Sequence, residues 1–218
     1  MRYSLAIFDL DGTVLDTLSD LADSVNAALA ATGYPLRTLD EVRSFVGNGI
    51  RKLMERIVPA GTAESEIDRV HAAFTAHYTQ HCADKTCPYE GILPLLATLR
   101  QAGVKIAVLS NKADYATQAL CAKYFPNTFH LVACEREHDW IPKKPAPDAV
   151  YDLMRQCGVT ADETVYIGDS EVDVETAQNA DIDSILVTWG FRSEETLRAA
   201  GARTVVDTPA LVQSIILA

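Results

Sequence analysis

Two aspartates stand directly behind an apolar run near the start of the chain. In the stretch AIFDLDGT these are Asp9 and Asp11. A carboxylate can attack phosphorus and form an aspartyl-phosphate. A second carboxyl group two residues away can protonate a leaving oxygen and later activate water. Gly12 permits the sharp turn that lets both aspartates face one site. The pair therefore predicts transfer of a phosphoryl group.

Polar side chains also follow two later apolar runs. Ser110 and Asn111 end KIAVLSN, and Asp169 ends TVYIGD, with Asp173 four residues further on. Between these runs, the segment PKKPAPD contains Lys144. Ligands of an open parallel sheet bind at the carboxyl ends of its strands, so these segments are expected to meet at one edge. Converging carboxylates require a cation, and oxygen ligands favour Mg²⁺. A lysine offsets the charge of nucleophile and phosphate together.

Six short apolar runs predict the strands of that sheet. They lie at residues 4–9, 105–110, 130–134, 164–169, 184–189 and 203–207. Near-continuous apolar runs are typical of strands that are covered on both faces. Helical patterns such as ILPLLATLRQAG lie between most of them. The alternation predicts an α/β fold with a doubly wound parallel sheet and a Rossmann-like core.

Residues 16–84 break this alternation, because they show helical patterns and no convincing strand. We therefore expect a small α-helical cap domain at 16–84, inserted into an α/β catalytic core formed by 1–15 and 85–218. The segment CPYEGI, at 87–92, is expected to return the chain to the sheet.

Composition excludes several classes of function. The chain has 218 residues, of which 48% are hydrophobic and 22% charged, and its net charge is −11. This acidity argues against general binding to nucleic acid or to an anionic membrane. No apolar run has the length of a signal peptide or a membrane span. Five cysteines without C-x-x-C spacing predict reduced thiols and a cytoplasmic protein. We expect a monomer or a homodimer.

The chain resembles the haloacid dehalogenase-like phosphohydrolases over essentially its whole length. DLDGT, LSN, KKPAPD and GDSEVD match the four motifs of that family in order and position. The resemblance implies that Asp9 is the nucleophile and Asp11 the general acid/base. It implies that Ser110 binds the phosphoryl group and that Lys144 stabilises it, although the neighbouring Lys143 remains open for this role.

The same resemblance implies a Mg²⁺ site and a small phosphate ester as substrate. The metal would be held by the Asp9 carboxylate, the Asp11 backbone carbonyl and Asp169, with Asp173 beside them. The loop FVGNGIRKLMERIV, at 45–58, is similar to that of phosphoglycolate phosphatases, as are DGTVLDT and VTWGFRSEE. This implies hydrolysis of 2-phosphoglycolate to glycolate and phosphate. The expected substrate contacts are Thr13, Gly47, Asn48, Gly49, Arg51 and Asn111.

Several alternatives stay open at this point. Another ester could be the substrate, such as a sugar phosphate, a nucleotide or pyrophosphate. A phosphosugar mutase would share the core motifs, and a regulatory or binding homologue would lack turnover. A phosphonate hydrolase would use a cap lysine, for which Lys52 is a candidate by position only. Trp140 and Trp189 flank predicted site loops, where packing is the expected role. Asp181 stands where the family usually has glycine, at the end of a helix.

Overall fold

A six-stranded parallel sheet forms the centre of the molecule. The computed structural model describes residues 2–135 and 142–218. The strand order is β5-β4-β1-β6-β7-β8, and every neighbouring pair is parallel. These strands are β1 (Leu5–Phe8), β4 (Lys105–Ala113), β5 (Leu131–Glu135), β6 (Thr164–Gly168), β7 (Asp183–Val187) and β8 (Val205–Val206). The predicted doubly wound parallel sheet is confirmed, and each of the six apolar runs overlaps one of its strands.

Helices cover both faces of the sheet and form the inserted module. The module comprises α1 (Leu18–Thr32), α2 (Leu39–Phe45), α3 (Ile50–Ile57) and α4 (Glu64–His81). The other helices are α5 (Ile92–Gln101), α6 (Asp114–Tyr124), α7 (Asp148–Cys157), α8 (Glu171–Asn179), α9 (Glu194–Ala199) and α10 (Pro209–Leu217). Among the described residues, no helix combines the length and apolarity needed to cross a bilayer.

Strand β1 is buried on both of its faces. Leu5 and Ile7 belong to one hydrophobic cluster, whereas Ala6 and Phe8 belong to another on the opposite side. All four side chains are inaccessible to solvent. Alternate side chains of a strand point to opposite faces, so a fully covered strand requires an unbroken apolar run. This burial explains why the run continues until Asp9.

The inserted helices share a core with the sheet. Helix α1 packs along α4, where Val25 and Leu29 join Phe74 and Tyr78 in the larger hydrophobic cluster. The same cluster contains Phe8 of the central strand. The module is therefore continuous with the hydrophobic core on one side of the sheet.

The return of the chain from the module differs from the expectation. Residues 87–92 do not enter the central sheet. Instead β3 (Cys87–Pro88) pairs antiparallel with β2 (Leu15–Asp16), which forms a separate two-stranded ribbon. Gly91, at φ 81°, begins helix α5 within three residues of the ribbon, and this leaves no length for a seventh strand.

The order of the strands reverses at β1. From β1, the chain runs outward through β4 and β5 on one side and through β6, β7 and β8 on the other. In an open parallel sheet, this switch point leaves a crevice at the carboxyl ends of the central strands. The crevice lies between the ends of β4, β1 and β6, which contain or are followed by the predicted site residues Ser110, Asp9 and Asp169.

Candidate active site

The crevice is closed over by the inserted helices and forms a small cavity of about 50 Å³. Its floor is formed by the core residues Asp9, Asp11, Ser110, Lys144 and Asp169. Its roof is formed by Leu21, Val46, Gly47, Gly49, Ile50 and Leu53 of the inserted module. The four sequence motifs therefore meet at one place, beneath the loop that joins α2 to α3.

Lys144 lies at the centre of a buried network of ion pairs. Its ammonium group is 2.8 Å from Asp9 Oδ1 and 2.8 Å from Asp173 Oδ1, and it donates to the Tyr166 hydroxyl at 3.0 Å. Burial opposes its charge, but the two carboxylates outweigh burial and raise the pKa of Lys144 well above its ordinary value. Lys143 is instead paired with Glu135 and is 38% exposed. The geometry thus favours Lys144 as the residue that acts beside Asp9.

Asp9 is held in an environment that disfavours its charge. Burial raises the pKa of this carboxyl, Lys144 opposes the rise, and Asp173 adds to it, so that the pKa of Asp9 reaches about 7. A further cation placed beside such a buried carboxyl group would stabilise its charged form.

Asp169 is fixed by one donor on each carboxylate oxygen. Thr13 donates its hydroxyl to Oδ1 at 3.0 Å, and the Phe191 amide donates to Oδ2 at 2.7 Å. Burial and the neighbouring Asp173 raise the pKa of Asp169 well above its ordinary value. A Cβ on Gly12, which has φ 85°, would lie 2.3 Å from Asp169 Oδ2. Glycine is therefore required where the turn after Asp9 approaches this carboxylate.

Asp173 is already saturated with hydrogen bonds. Its Oδ2 accepts from the Asp169 amide at 3.1 Å and from the amide and hydroxyl of Ser170 at 3.0 and 2.7 Å. Its Oδ1 accepts from Lys144 at 2.8 Å and from the Tyr166 hydroxyl at 3.2 Å. Five donors leave little capacity for a further ligand. The side chain orients its neighbours from beside the cluster.

The donor set fits a hard divalent cation. Among the described residues, Asp9, Asp169 and Asp173 form a carboxylate cluster whose ligand atoms lie within 4.8 Å of one another. All the donors are oxygen, as Mg²⁺ prefers. Since Asp173 is saturated, Asp9 and Asp169 have the free lone pairs. Burial raises the pKa of both carboxyls, and a divalent cation held between them would stabilise their charged forms.

Asp11 does not belong to the carboxylate cluster, and its carboxylate accepts hydrogen bonds from two other side chains. Thr17 donates its hydroxyl to Oδ1 at 2.7 Å, and Lys112 donates to Oδ1 and Oδ2 at 3.0 and 3.1 Å. The Lys112 side chain is only 2% exposed, and its ammonium group lies 4.8 Å from the centre of the Tyr78 ring. Burial opposes its charge, but Asp11 and Tyr78 outweigh burial and raise the pKa of Lys112.

Asn111 braces the loop that carries Lys144. Its side-chain oxygen accepts from the Lys144 amide at 2.9 Å, and its amide group donates to the Lys144 carbonyl at 3.0 Å. The same amide group lies 3.4 Å from the carbonyl oxygen of Gly47 in the roof. Ser110 Oγ accepts from the Lys112 amide at 3.3 Å. The end of β4 thus connects the buried lysine, the floor and the roof.

Comparison with known proteins agrees with this geometry. The family model for haloacid dehalogenase-like hydrolases matches residues 6–187. The chain belongs to the haloacid dehalogenase-like hydrolases. It is 34% identical to the phosphoglycolate phosphatase of Mesorhizobium japonicum over 88% of this chain and 85% of that protein. The corresponding protein of Agrobacterium fabrum is 31% identical, over 97% of this chain and 94% of its own length.

A solved structure shares the whole architecture of this hydrolase. The protein, from Lactobacillus delbrueckii subsp. bulgaricus, is provisionally assigned as a phosphoglycolate phosphatase. It superimposes with a TM-score of 0.93 at 38% identity, and 99% of each chain is covered. The family, and the resemblance to its phosphoglycolate phosphatases, are therefore confirmed. The chain is an enzyme of the phosphoric monoester hydrolase class, to which these curated relatives belong.

Three of the expected substrate contacts do not line the cavity of this hydrolase. Arg51 points away, because the acidic side chains of Glu64 and Asp68 on α4 pair with its guanidinium group. Asn48 accepts from Arg56 at 2.7 Å. Thr13 lies beneath the floor, where it holds Asp169. Gly47, Gly49 and Asn111 do line the cavity.

Lys52 also points outward. It is 58% exposed and lies 2.6 Å from Glu55 on the same helix. Its position gives no support to the lysine chemistry of a phosphonate hydrolase.

Two cations of the cavity wall were missed in the sequence. Lys112 directly follows Ser110 and Asn111 at the end of β4, so its position was a usable signal. Arg192 follows β7 within VTWGFRSEE, and no spacing marks it out. Trp189 contributes by packing, and its Nε1 donates to the Thr13 carbonyl at 3.0 Å. Trp140 lies outside the described residues.

Proposed function

We propose that this chain is a Mg²⁺-dependent phosphomonoesterase that acts through an aspartyl-phosphate on Asp9, with 2-phosphoglycolate as its substrate. The observation that carries the proposal is the meeting of Asp9, Asp11, Lys144 and Asp169 in one cavity of about 50 Å³. These groups come from distant parts of the chain and have the types that phosphoryl transfer requires.

In the proposed reaction, an Asp9 oxygen attacks phosphorus and the bond from phosphorus to the ester oxygen breaks. Asp11 donates its proton to the departing oxygen. In the second half, Asp11 takes a proton from water, the water oxygen attacks phosphorus, and the bond to Asp9 breaks to release phosphate. Asp11 must leave its contacts with Lys112 and Thr17 to reach the ester oxygen. We expect this to occur by rotation of the side chain, because Asp11 lines the cavity.

The charges of the site are arranged to accept a phosphoryl group. Lys144 would neutralise both Asp9 and the transferred group, while Asp173 and Tyr166 keep its ammonium group in place. Ser110 would donate its hydroxyl to a phosphoryl oxygen. The carboxylates of Asp9 and Asp169 and the backbone carbonyl of Asp11 would hold Mg²⁺. When bound, the metal would stabilise the negative charge that develops on the transferred group.

The proposal of a small, doubly charged substrate is supported by the size and charge of the cavity. A volume of about 50 Å³ corresponds to a few water-sized groups, so this arrangement of the roof favours a small ester over a nucleotide. Lys112 lines the wall in addition to Lys144, which suits an ester that carries a second anionic group, whereas the guanidinium group of Arg192 is occupied by Glu171 and main-chain carbonyls. Arg51 is paired with Glu64 and Asp68. We therefore assign the carboxylate of 2-phosphoglycolate to the neighbourhood of Lys112 and the loop at 47–49.

We propose that residues 16–84 form a cap over a core made of 1–15 and 85–218. The module supplies the whole apolar roof of the cavity, so its closure would exclude water during transfer. The free thiols of Cys82, Cys87, Cys121 and Cys157 are compatible with the cytoplasmic setting we propose.

Phosphate release from a panel of monophosphates, with and without Mg²⁺, tests this function. The sharpest comparison pairs 2-phosphoglycolate with 2-hydroxyethyl phosphate, because the two esters differ only at the carboxylate. Asp9→Asn serves as the blank. We expect release that requires Mg²⁺. We expect kcat/KM to be at least about tenfold higher for the carboxylated ester, a difference that corresponds to about 1.4 kcal/mol of binding free energy.

The outcomes separate the parts of the proposal. Equal rates for the two esters, or preference for a sugar phosphate, a nucleotide or pyrophosphate, would retain the mechanism and reject the substrate. Full activity in Asp9→Asn, or in chelator, would reject the mechanism. No release from any ester would favour a mutase or a non-catalytic homologue.

A further inference from the structure

Arg192 joins the core to the inserted helices at the rim of the cavity. Its Nε lies 2.9 Å from Glu171 Oε2. Its Nη1 donates to the Arg43 carbonyl at 2.7 Å, and its Nη2 donates to the Val46 carbonyl at 2.7 Å. A longer contact of 3.5 Å reaches the Ser44 carbonyl. The side chain is 14% exposed, so these contacts are largely shielded from solvent.

These contacts complete the carboxyl end of helix α2. The last carbonyls of a helix have no partner within it, and a cation near them is favourable. Helix α2 ends at Phe45, so the carbonyls of Arg43, Ser44 and Val46 belong to its last turn and to the residue after it. A guanidinium group can serve several acceptors at once because its donors point in fixed directions. Arg192 therefore acts as a cap for α2 that comes from another part of the chain.

The residues that follow α2 form part of the roof. We call Val46 to Gly49 the roof loop. Val46, Gly47 and Gly49 line the cavity. Gly47 has φ 132° and Gly49 has φ 84°, so the loop has little intrinsic stiffness. The Arg192 contacts hold one end of the loop, and Asn111 contacts the Gly47 carbonyl from the opposite side.

The position of Arg192 is itself set by the floor of the site. The preceding residue, Phe191, donates its amide to Asp169 at 2.7 Å. Trp189 is fixed by its hydrogen bond to the Thr13 carbonyl. The loop that carries Arg192 is thus anchored to the same carboxylate that the proposed metal site uses, and it reaches from there to the roof.

We propose that Arg192 is a positioning residue for substrate selection, which keeps the roof loop closed over the cavity so that small esters are favoured over large ones. The inference rests on the proposed phosphatase function for its kinetic consequence only. The structural part, which is the restraint of the roof loop, stands without it. Removal of the guanidinium group frees the carbonyls at the end of α2 and lets the glycine-rich loop move outward.

Hydrogen exchange measures the restraint directly. The variants are Arg192→Ala and Arg192→Lys, which retains a charge but cannot reach all of the acceptors. The matched control is Arg198→Ala, which removes an exposed arginine that pairs with Glu194 on α9 and does not line the cavity. In Arg192→Ala we expect the amides of residues 43–50 to exchange at least about tenfold faster, a change of about 1.4 kcal/mol. Arg192→Lys should be intermediate and Arg198→Ala unchanged.

A ratio of kinetic constants measures selection. We expect kcat/KM for 2-phosphoglycolate, divided by kcat/KM for p-nitrophenyl phosphate, to fall about tenfold in Arg192→Ala. A general loss of folded protein would lower both constants and leave the ratio intact. Arg192→Lys should recover part of the ratio, and it replaces the alanine variant should that variant fail to fold.

Unchanged exchange at residues 43–50 would overturn the proposal. Faster exchange with an unchanged ratio would overturn the role in selection. Should the wild-type enzyme not hydrolyse 2-phosphoglycolate, the proposed substrate fails independently. The ratio is then taken between the smallest and largest esters that the enzyme does hydrolyse, with the same expected fall.

Discussion

Replacement of Asp9 should separate activity from stability. Asparagine keeps the shape of the side chain, but it cannot act as the carboxylate nucleophile and carries no charge. Asp9 is buried beside Asp173, and its only described ion pair is with Lys144. We therefore expect Asp9→Asn to abolish turnover and yet to raise the free energy of unfolding of the metal-free protein.

The size of this effect follows from the pKa of Asp9. Burial is the largest cause that raises it, from an ordinary value of 3.8 to about 7. One unit of pKa corresponds to 1.36 kcal/mol, so a rise of about three units corresponds to about 4 kcal/mol against the charged form. Asparagine retains the Lys144 contact only when its carbonyl oxygen, and not its NH2 group, faces the ammonium group, and this constraint lowers the gain. The expected gain for Asp9→Asn is therefore roughly 2–4 kcal/mol above pH 7.

The sign of the pH dependence is also fixed. Above pH 7 the folded protein carries the buried charge, and the wild type bears the full penalty. Between pH 7 and 3.8 the folded protein retains a proton that the unfolded chain releases, so the penalty falls as the pH falls. Below 3.8 both states are protonated and the penalty is absent. The advantage of Asp9→Asn should shrink to about 1 kcal/mol at pH 4.5.

Urea denaturation in chelator, at pH 8 and pH 4.5, measures both quantities. Asp40→Asn is the control, since it removes an exposed carboxylate that pairs with Arg43. This control should change the free energy of unfolding by less than about 0.5 kcal/mol at either pH. Added Mg²⁺ should then stabilise the wild type more than the variant, because a ligand that binds the folded state stabilises it. Lower stability of Asp9→Asn at pH 8, or a gain that does not depend on pH, would refute the reasoning.

Two further substitutions test the scaffold of the site. Asp173→Asn should lower the free energy of unfolding by about 3–5 kcal/mol, because it removes one partner from a buried ion pair and disturbs five hydrogen bonds. A decrease in the free energy of unfolding of less than about 1 kcal/mol, measured by thermal denaturation, would contradict this expectation. Asp181→Gly should raise stability by roughly 0.5–1 kcal/mol, because Asp181 has φ 54° just beyond the end of α8, where glycine is unstrained and a negative charge is unfavourable. The same measurement would show a midpoint rise of about 2–4 °C per kcal/mol, and no rise would exclude strain at this position.

The floor of the site was predictable from sequence for a simple reason. Asp9, Ser110 and Asp169 each follow an apolar run, and the carboxyl ends of parallel strands lie at one edge of the sheet. Once the runs are recognised as strands, topology alone brings these side chains together. The prediction needs no knowledge of any side-chain direction.

The roof and walls could not be predicted in the same way. The side chain of Arg51 turns toward Glu64 and Asp68 on α4. The residues around Arg51 in the sequence do not reveal these partners. Arg192 reaches carbonyls about 150 residues earlier in the chain, and main-chain acceptors leave no trace in sequence. The short ribbon at Cys87–Pro88 is decided by its pairing with Leu15–Asp16, since two residues are too few to form a pattern.

The clustered carboxylates divide into two kinds, and this division explains why neighbouring substitutions should have opposite effects. Asp173 has five donors, so its charge is compensated and its removal destabilises the fold. The charge of Asp9 is only partly compensated, so its removal is expected to raise the free energy of unfolding and to abolish turnover. A nucleophile must retain a free lone pair, and it can do so in a buried site only when other groups hold the site together. Asp173 fixes Lys144 from behind, and this leaves Asp9 available for a phosphoryl group and a cation.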